Sequence, residues 1–436
     1  MADTSDRFQN ELPHLTPPMT ASGIRVTWTG LRASRNRDPL HSPLLTRAFV
    51  LAAMANAILS LAGSLFVHLP GFLQQIGAGE GEIGRIMAMQ AIGAILVWPL
   101  VGTVMDTRGR RVVILGGVAL FVVSVGLYLS VSTLGPRIYA VRLIDGAAST
   151  MWYTALFTYA ADLVPERRRA EGLAVFGVSG LIPLGLGAFS GDVILAHYGF
   201  REMFIGALAL AVLGFALCLP LRDVPPVRTE QAVRPRSLLR TASERNLLSV
   251  WLAAFTFFVG VVVVFTFVKT FISTTGIGSM GRFFGAYATT AVLLRLFLGW
   301  LPDRLGSRRM VGIAMSCYAC GFFVLALAHT PAYVLAAGLL LGAGHGYTFP
   351  VLLSLVVTRS ATQERGAATA FFMALDWISL LLAGPMVGYA IERVGYGQSF
   401  MGVGLTVATG TGVFYVLDHR RARSAMKSGA VSGLSP

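Results

Sequence analysis

The sequence predicts an all-α membrane protein in which twelve transmembrane helices form two six-helix halves around a central cavity. Three observations lead to this fold class. Of the 436 residues, 55% are hydrophobic and only 13% are charged, whereas soluble domains average about 25% charged residues. Apolar segments long enough to cross a bilayer recur along the chain. Polar motifs at the ends of these segments occur twice, as an internal duplication would produce.

The apolar segments begin at about residue 45 and continue almost to the end of the chain. Each has roughly 20 mainly apolar residues, which is the length that a bilayer requires. Glycine and proline occur within them, and membrane helices tolerate these residues better than soluble helices do. We number the segments spans 1 to 12; they are centred near Leu59, Gly93, Val122, Trp152, Leu184, Ala211, Gly260, Ala291, Ala319, Leu341, Leu380 and Ala408.

Polar segments divide the chain into five parts. Residues 1–44 are polar and rich in proline, lack the apolar core of a signal peptide, and are predicted to be a disordered cytoplasmic tail. Residues 45–221 and 247–418 are the predicted six-helix halves. Residues 222–246, with Pro225, Pro226 and Pro235, are predicted to be a cytoplasmic linker. Residues 419–436 are predicted to be a cytoplasmic tail.

Positive charge lies mainly on one side of the predicted membrane. Most of the 35 lysines and arginines fall in the tails, the linker and the loops after even-numbered spans. Because cytoplasmic loops are rich in these residues, the pattern places both termini in the cytoplasm and the protein in the inner, cytoplasmic membrane. The net charge of +14 is therefore explained by topology, and no nucleic-acid partner is expected.

The two halves share motifs at corresponding positions. Glu166-Arg167 follows span 4, and Glu364-Arg365 follows span 10. A longer glycine- and arginine-containing motif follows spans 2 and 8. It reads Gly102-Thr-Val-Met-Asp106-Thr-Arg-Gly109-Arg110-Arg111 in the first half and Gly299-Trp-Leu-Pro-Asp303-Arg304-Leu-Gly306-Ser-Arg-Arg309 in the second.

With these motifs, the chain resembles the major facilitator superfamily over about residues 44–418, and in particular its drug– or metabolite–proton antiporters. The specific signature is G-x-x-x-D-(R/K)-x-G-(R/K)-(R/K) in both loops. Two departures occur, since Thr107 replaces a basic residue in the first copy and Ser307 is an extra residue in the second. The resemblance implies the major facilitator fold, with transport through one cavity between the halves.

Asp106 lies where span 2 ends, and a carboxylate can stabilise the positive N-terminus of a neighbouring helix. The resemblance implies that this helix is span 11 of the other half, so that the contact would lock one conformation. Arg110 could hold Asp106 by charge-assisted hydrogen bonds. The alternative for the arginines of the loop is that they only anchor the topology.

Ionisable residues within spans suggest functional sites because burying them in a membrane is unfavourable. Arg142 and Asp145 are three residues apart on span 4 and therefore share a helix face. Arg142-Leu-Ile-Asp145-Gly146 also resembles the R-x-x-x-G pattern of proton-linked exporters. We interpret Asp145 as a proton-binding group that releases Arg142 when protonated. A static ion pair is the alternative.

Asp376, near the middle of span 11, has no basic residue within one helical turn in sequence. Its partner could be Arg295 of span 8, a proton or water. Two roles of Asp376 are compatible with the sequence: a structural bridge to Arg295, or a carboxylate that couples transport to protons. His345 lies between Gly344 and Gly346 on span 10, where it could contact substrate or serve as a hydrogen-bonded packing residue.

The predicted substrate cavity combines polar, aromatic and charged residues at similar depth. Packing or membrane-interface roles are the alternative for its aromatic members. The predicted set is Asn56, Ser60, Gln90, Trp152, Tyr153, Arg295, His345 and Trp377. Span 5 carries a loose version of the glycine- and proline-rich exporter motif, with Pro183 out of register.

No motif for catalysis is apparent. The sequence contains no P-loop, no zinc-protease motif, no metal-ligand cluster and no G-x-S-x-G motif, so neither an enzyme nor a metal or other cofactor is expected. The predicted partners are the bilayer, a small-molecule substrate and protons, and the predicted state is a monomer because each chain contains both halves.

Three functions are compatible with the sequence. The first is proton-coupled export of a small amphiphilic molecule or metabolite by alternating access. The second is proton symport or facilitated import of a sugar, organic anion or other metabolite. The third is a non-transporting sensor or assembly factor. The span 4 pair favours export, and charged residues within the predicted cavity argue against the third.

Overall fold

Helices account for nearly all of the described chain. The computed structural model describes residues 46–164, 169–223, 241–244, 246–361 and 364–432. Within these residues no β-strand occurs, in agreement with the predicted all-α class. The predicted tail at residues 1–44 and most of the predicted linker at 222–246 lie outside the described residues. The predicted limits of the halves and of the C-terminal tail stay predictions.

The first half contains spans 1 to 6. Span 1 consists of the α-helix Arg47–Ser64, the 3₁₀ turn Leu65–His68 and the α-helix Leu69–Gln75, which together form a membrane-length stretch of 29 residues. Every predicted centre lies within its helix. Spans 2 to 6 are Glu80–Arg108, Arg110–Tyr128, Pro136–Leu163, Arg169–His197 and Phe200–Cys218.

The second half repeats this arrangement. Spans 7 to 10 are Leu248–Thr275, Met280–Phe297, Ser307–Ala326 and Pro331–Arg359, and the short helix Leu301–Leu305 precedes span 9. The helical stretch Arg365–Ser432 is interrupted at Gly395, where φ is 82°. This positive φ breaks the helix, and glycine adopts it without strain. Gly395 therefore separates span 11 (365–394) from span 12 (396–432).

The described helices provide the twelve predicted spans. Nine helical stretches of the described residues are long and apolar enough to cross a membrane. One of these, Arg365–Arg421, has 57 residues and extends from span 11 into span 12. Spans 4 and 8 complete the set. They have 28 and 18 residues and carry charged side chains, including Arg142 and Arg295. The predicted fold class is confirmed.

Spans 2 and 4 approach each other so closely that only glycine fits at their contact. A Cβ atom at Gly146 would overlap the backbone carbonyl oxygen of Gln90, and one at Gly93 would overlap that of Leu143. Small residues allow membrane helices to pack backbone against backbone. This contact places Gln90 next to the charged residues of span 4.

The two ends of the bundle differ. We call the end that carries residues 102–111 and 299–309 the motif end, and the opposite end the far end. At the far end the halves touch, since a Cβ atom at Gly84 of span 2 would overlap the carbonyl oxygen of Gly384 of span 11. At the motif end, no atom lies within 4 Å of the Cβ position of Gly102, and the Asp106 side chain is 77% exposed. The halves therefore separate towards the motif end.

Candidate functional site

Hydrogen bonds between the halves close the far end. Glu80, at the start of span 2, accepts hydrogen bonds from the Thr270 hydroxyl at 2.9 Å and the Tyr396 hydroxyl at 2.6 Å, both in the second half. Gln74 Nε2 donates to Thr274 Oγ1 at 2.9 Å. The space between the halves is thus sealed at the far end and opens towards the motif end.

A buried charged cluster lies within the first half. Arg142 is 2% exposed and Asp145 is 3% exposed. Arg142 Nη1 donates to Asp145 Oδ2 at 2.7 Å and to the Tyr128 hydroxyl at 3.3 Å. Arg142 Nη2 donates to Gln90 Oε1 at 2.5 Å. The predicted ion pair is present, and it joins spans 2, 3 and 4.

Gln90 forms hydrogen bonds with both members of this ion pair. Besides accepting from Arg142, it donates from Nε2 to Asp145 Oδ2 at 3.4 Å, so both ends of its amide are used in this cluster. The close packing of spans 2 and 4 directs its amide to the ion pair; Gln90 is half-buried, and its place in the substrate cavity stays a prediction. A change in the protonation of Asp145 would therefore alter hydrogen bonds on span 2 as well as span 4.

Arg295 does not pair with Asp376 in this conformation. Its Nε donates to the carbonyl oxygen of Gly346 on span 10 at 3.0 Å, and its guanidinium interacts electrostatically with Tyr153 of the first half. Among the described residues no ion pair to Asp376 is formed, so the expected bridge is absent. Span 10 instead holds Arg295 facing Tyr153, which is 51% exposed.

Asp376 is half-buried on span 11 and, within the described part of the chain, has no hydrogen bond or ion pair. The Tyr318 hydroxyl lies near enough to interact with it electrostatically. A buried ionised carboxylate without a cation is unfavourable. This environment therefore suits a carboxyl group that takes up a proton or a cation.

His345 forms part of an aromatic cluster. The Tyr287 hydroxyl and His345 Nδ1 are hydrogen-bonded at 2.5 Å. The His345 ring lies 5.1 Å from the Phe257 ring and 6.4 Å from the Phe349 ring, centroid to centroid. The hydrogen-bonded packing role left open for His345 matches these contacts, and a role in substrate binding stays a prediction.

The remaining predicted cavity residues fall into two groups. Asn56 is 1% exposed and donates to Ser179 Oγ at 2.8 Å, which ties span 1 to span 5. Trp152 is 5% exposed and packs against Phe121 inside the first half, so it does not line the cavity as predicted. By contrast, Ser60 and Trp377 are half-buried.

In the first motif loop, Arg110 is the central residue. It donates to the Met105 carbonyl oxygen at 2.7 Å, to Asp106 Oδ1 at 3.3 Å and to Asp162 Oδ2 at 3.1 Å. The predicted Arg110–Asp106 contact is therefore formed. Gly109, with φ of 91°, allows the sharp turn between spans 2 and 3. The contact of Asp106 with span 11 is not formed here, because the halves are apart at this end, and it stays a prediction for the opposite conformation.

The second motif loop has fewer contacts. Asp303 and Arg304 are exposed, and the Arg304 guanidinium lies 5.6 Å from the Trp300 ring centroid. Gly306 has φ of 82° and makes the same turn as its counterpart in the first loop. Gly299 precedes the short helix, in the turn that follows span 8.

Sequence reasoning missed three residues at the far end. The carboxylates of Asp192, Glu392 and Glu80 each accept a hydrogen bond from the other half. A carboxylate at the end of a span is a weak signal by itself, because only the packing of the halves reveals its partner.

Comparison with known proteins identifies related sequences. The sequence model of the Major Facilitator Superfamily matches residues 45–283 and 276–431. An uncharacterised MFS-type transporter of Burkholderia mallei (strain SAVP1) is 26% identical over 366 residues, covering 81% of this chain and 88% of that protein. One of Pseudomonas aeruginosa (strain UCBPP-PA14) is 26% identical over 369 residues, covering 81% and 89%.

Solved structures share the fold. The nucleoside transporter NupG superimposes with a TM-score of 0.71 at 13% identity, covering 85% of this chain and 99% of that one. The inward-open xylose transporter XylE from E. coli gives a TM-score of 0.69 at 18% identity, covering 84% and 95%. At these identities the likeness concerns the fold alone.

Proposed function

The chain belongs to the major facilitator superfamily of transporters, and we propose that it exports a small amphiphilic molecule or metabolite in exchange for protons. The observation that carries this proposal is the buried cluster of Arg142, Asp145 and Gln90. A carboxylate that is buried with one cation loses most of its attraction for that cation when it accepts a proton, so it can couple proton binding to movement of the helices around it.

Alternating access would move the substrate. In the proposed topology the motif end is cytoplasmic, so the present conformation is open to the cytoplasm and closed outside. Substrate would enter from the cytoplasm between the halves. A proton that reaches Asp145 would weaken its attraction for Arg142, and the change would spread through Gln90 to span 2, which forms part of the closed far end.

Resistance measurements would test this function. An efflux-deficient bacterial host would express the wild type, Asp145→Asn or the matched control Glu82→Gln, whose carboxylate lies outside the cluster near Tyr139, at equal membrane amounts. Against a panel of toxic amphiphiles, we expect protection by the wild type and the control but not by Asp145→Asn. Protection by Asp145→Asn would contradict the coupling role of Asp145, and protection by none of the proteins would contradict export of the compounds tested.

Arg295 and Asp376 support a second candidate, proton symport of an organic anion. Arg295 is held through Nε, and among the described residues its two Nη groups have no hydrogen-bond partner. A guanidinium presented in this way can bind a carboxylate or another acidic group at two points. Asp376 would carry the proton that balances the charge of the anion.

Arg295→Gln tests whether substrates carry an acidic group. We expect Kd for an acidic substrate to rise about tenfold to hundredfold because charge-assisted hydrogen bonds are lost, while Kd for neutral compounds stays near the wild-type value. Binding of radiolabelled compounds to purified protein would measure the effect. Equal weakening for acidic and neutral compounds would indicate a structural role.

Asp376→Asn tests whether this carboxyl group couples protons to transport. Because the structure gives Asp376 no protein partner among the described residues, we expect the variant to fold with the wild-type midpoint of thermal unfolding. In proteoliposomes it should lose accumulation driven by a pH gradient and keep exchange of substrate across equal pH. Wild-type accumulation would exclude Asp376 as a coupling residue, and the symport candidate would then lose its proton site.

A further inference from the structure

Two carboxylates at the far end cross between the halves in the same manner. Asp192 of span 5 accepts a hydrogen bond at Oδ2 from the backbone N–H of Gly281 on span 8, at 2.7 Å. Glu392 of span 11 accepts one at Oε1 from the backbone N–H of Gly81 on span 2, at 2.9 Å. Each pair joins one half to the other.

The two pairs join corresponding spans of the repeat, since span 8 corresponds to span 2 and span 11 to span 5. Gly281 lies 200 residues after Gly81, and Glu392 lies 200 residues after Asp192. Each glycine is the second residue of its helix, after Glu80 in span 2 and Met280 in span 8. The same kind of contact is therefore made twice, once between spans 5 and 8 and once between spans 2 and 11.

Elementary electrostatics explains why these contacts hold. The first N–H groups of a helix have no partner within that helix, and the helix N-terminus attracts negative charge. Glycine lets the carboxylate approach, since a Cβ atom at Gly81 would lie 3.1 Å from Glu392 Oε2. A Cβ atom at Gly281 would lie 2.8 Å from the Cα of Phe189.

The surroundings of the two carboxylates differ. Asp192 Oδ1 lies 3.8 Å from His68 Nδ1, and Asp192 also interacts electrostatically with Lys269 of the second half. Glu392 lies near a second carboxylate, Glu80. The positive charge of Lys269 therefore stabilises the carboxylate of Asp192, whereas the contact of Glu392 relies on the helix N-terminus of span 2.

We propose that the Asp192–Gly281 and Glu392–Gly81 contacts are a pair of latches that hold the far end closed, and that both must release before the cavity can open there. Asp192 and Glu392 are thus positioning residues for the transport cycle. Asp106 is expected to do the same for span 11 at the motif end, so each conformation would be held by carboxylates at helix N-termini. The proposal rests on alternating access but not on any particular substrate.

Distance measurements between spin labels test the latches without a substrate. In full-length protein carrying Cys218→Ala, Cys317→Ala and Cys320→Ala, labels at Ser132→Cys and Ala332→Cys would report on separation at the far end. Both positions are exposed there, Ser132 in the loop after span 3 and Ala332 in the first turn of span 10. Double electron–electron resonance would give the populations of short and long distances.

We expect Asp192→Asn and Glu392→Gln each to raise the ratio of long to short distances roughly fivefold, and the double variant to raise it further. These substitutions keep the shape of the side chain and remove its charge. Gly81→Ala, which displaces Glu392 without changing any charge, should shift the ratio in the same direction. The control Glu202→Gln, a far-end residue whose carboxylate lies near Gly199 of its own half, should leave it unchanged.

A double variant with the wild-type distance distribution would overturn the proposal, provided that its thermal unfolding and gel filtration match those of the wild type. An equal shift in the Glu202→Gln control would also overturn it, since the effect would then come from surface charge in general. Because the readout is conformational, failure of the latches is distinguishable from failure to find a transported compound.

Discussion

Asp145→Asn is expected to abolish uphill transport while the protein still inserts and folds. Asparagine has the size of aspartate and can still accept a hydrogen bond from Arg142, so the cluster with Gln90 keeps its shape. It cannot bind and release a proton. A pH gradient would then supply no energy to the transported molecule, and accumulation against a gradient should fall to the background of empty vesicles.

Proteoliposomes with an imposed pH gradient would measure this effect. Downhill exchange of substrate should persist in Asp145→Asn, because alternating access itself does not require the proton. Glu82→Gln is the matched control and should accumulate substrate as the wild type does. Wild-type accumulation by Asp145→Asn would show that the pair with Arg142 is a static structural contact.

Arg142→Met is expected to have the largest effect on stability. Removing one member of a buried ion pair leaves an uncompensated charge, at a cost of about 3–5 kcal/mol. Here the orphaned group would be Asp145, which is 3% exposed, and the contacts to Gln90 and Tyr128 would be lost as well. The midpoint of thermal unfolding in detergent should fall clearly below that of the wild type.

The double variant Arg142→Met with Asp145→Asn separates stability from function. With the carboxylate neutralised, most of the lost stability should return, because a neutral amide is far less unfavourable to bury than a charge. Uphill transport should stay absent. If Arg142→Met alone is as stable as the wild type, Asp145 is already uncharged in the present conformation, and the ion pair contributes nothing to the fold.

Much of the fold could be predicted because its signals are local. Each predicted span centre lies inside a helix of the structure, since apolar runs of membrane length report directly on the surrounding solvent. The Arg142–Asp145 pair could also be predicted, because residues three apart on a helix share a face. The turns at Gly109 and Gly306 were marked by the motifs that contain them.

Contacts between residues that are far apart in the sequence were harder to predict. Arg295 and Asp376 have opposite charges in the same half, yet span 10 holds Arg295 at the Gly346 carbonyl oxygen instead. Trp152 was placed in the cavity because of its depth along span 4, but the rotation of that helix directs the ring towards Phe121. Depth follows from position in the sequence, whereas the direction of a side chain depends on how helices pack.

The sequence by itself determined that this is a twelve-span transporter of two repeated halves, because hydrophobicity, charge asymmetry and repetition are properties of the chain. Tertiary structure alone decided which end is closed and which residues close it. Asp192 and Glu392 resemble any other polar residues at the ends of spans until the halves meet. Their partners are backbone N–H groups, which every residue but proline carries, so no pattern of side chains could have identified them.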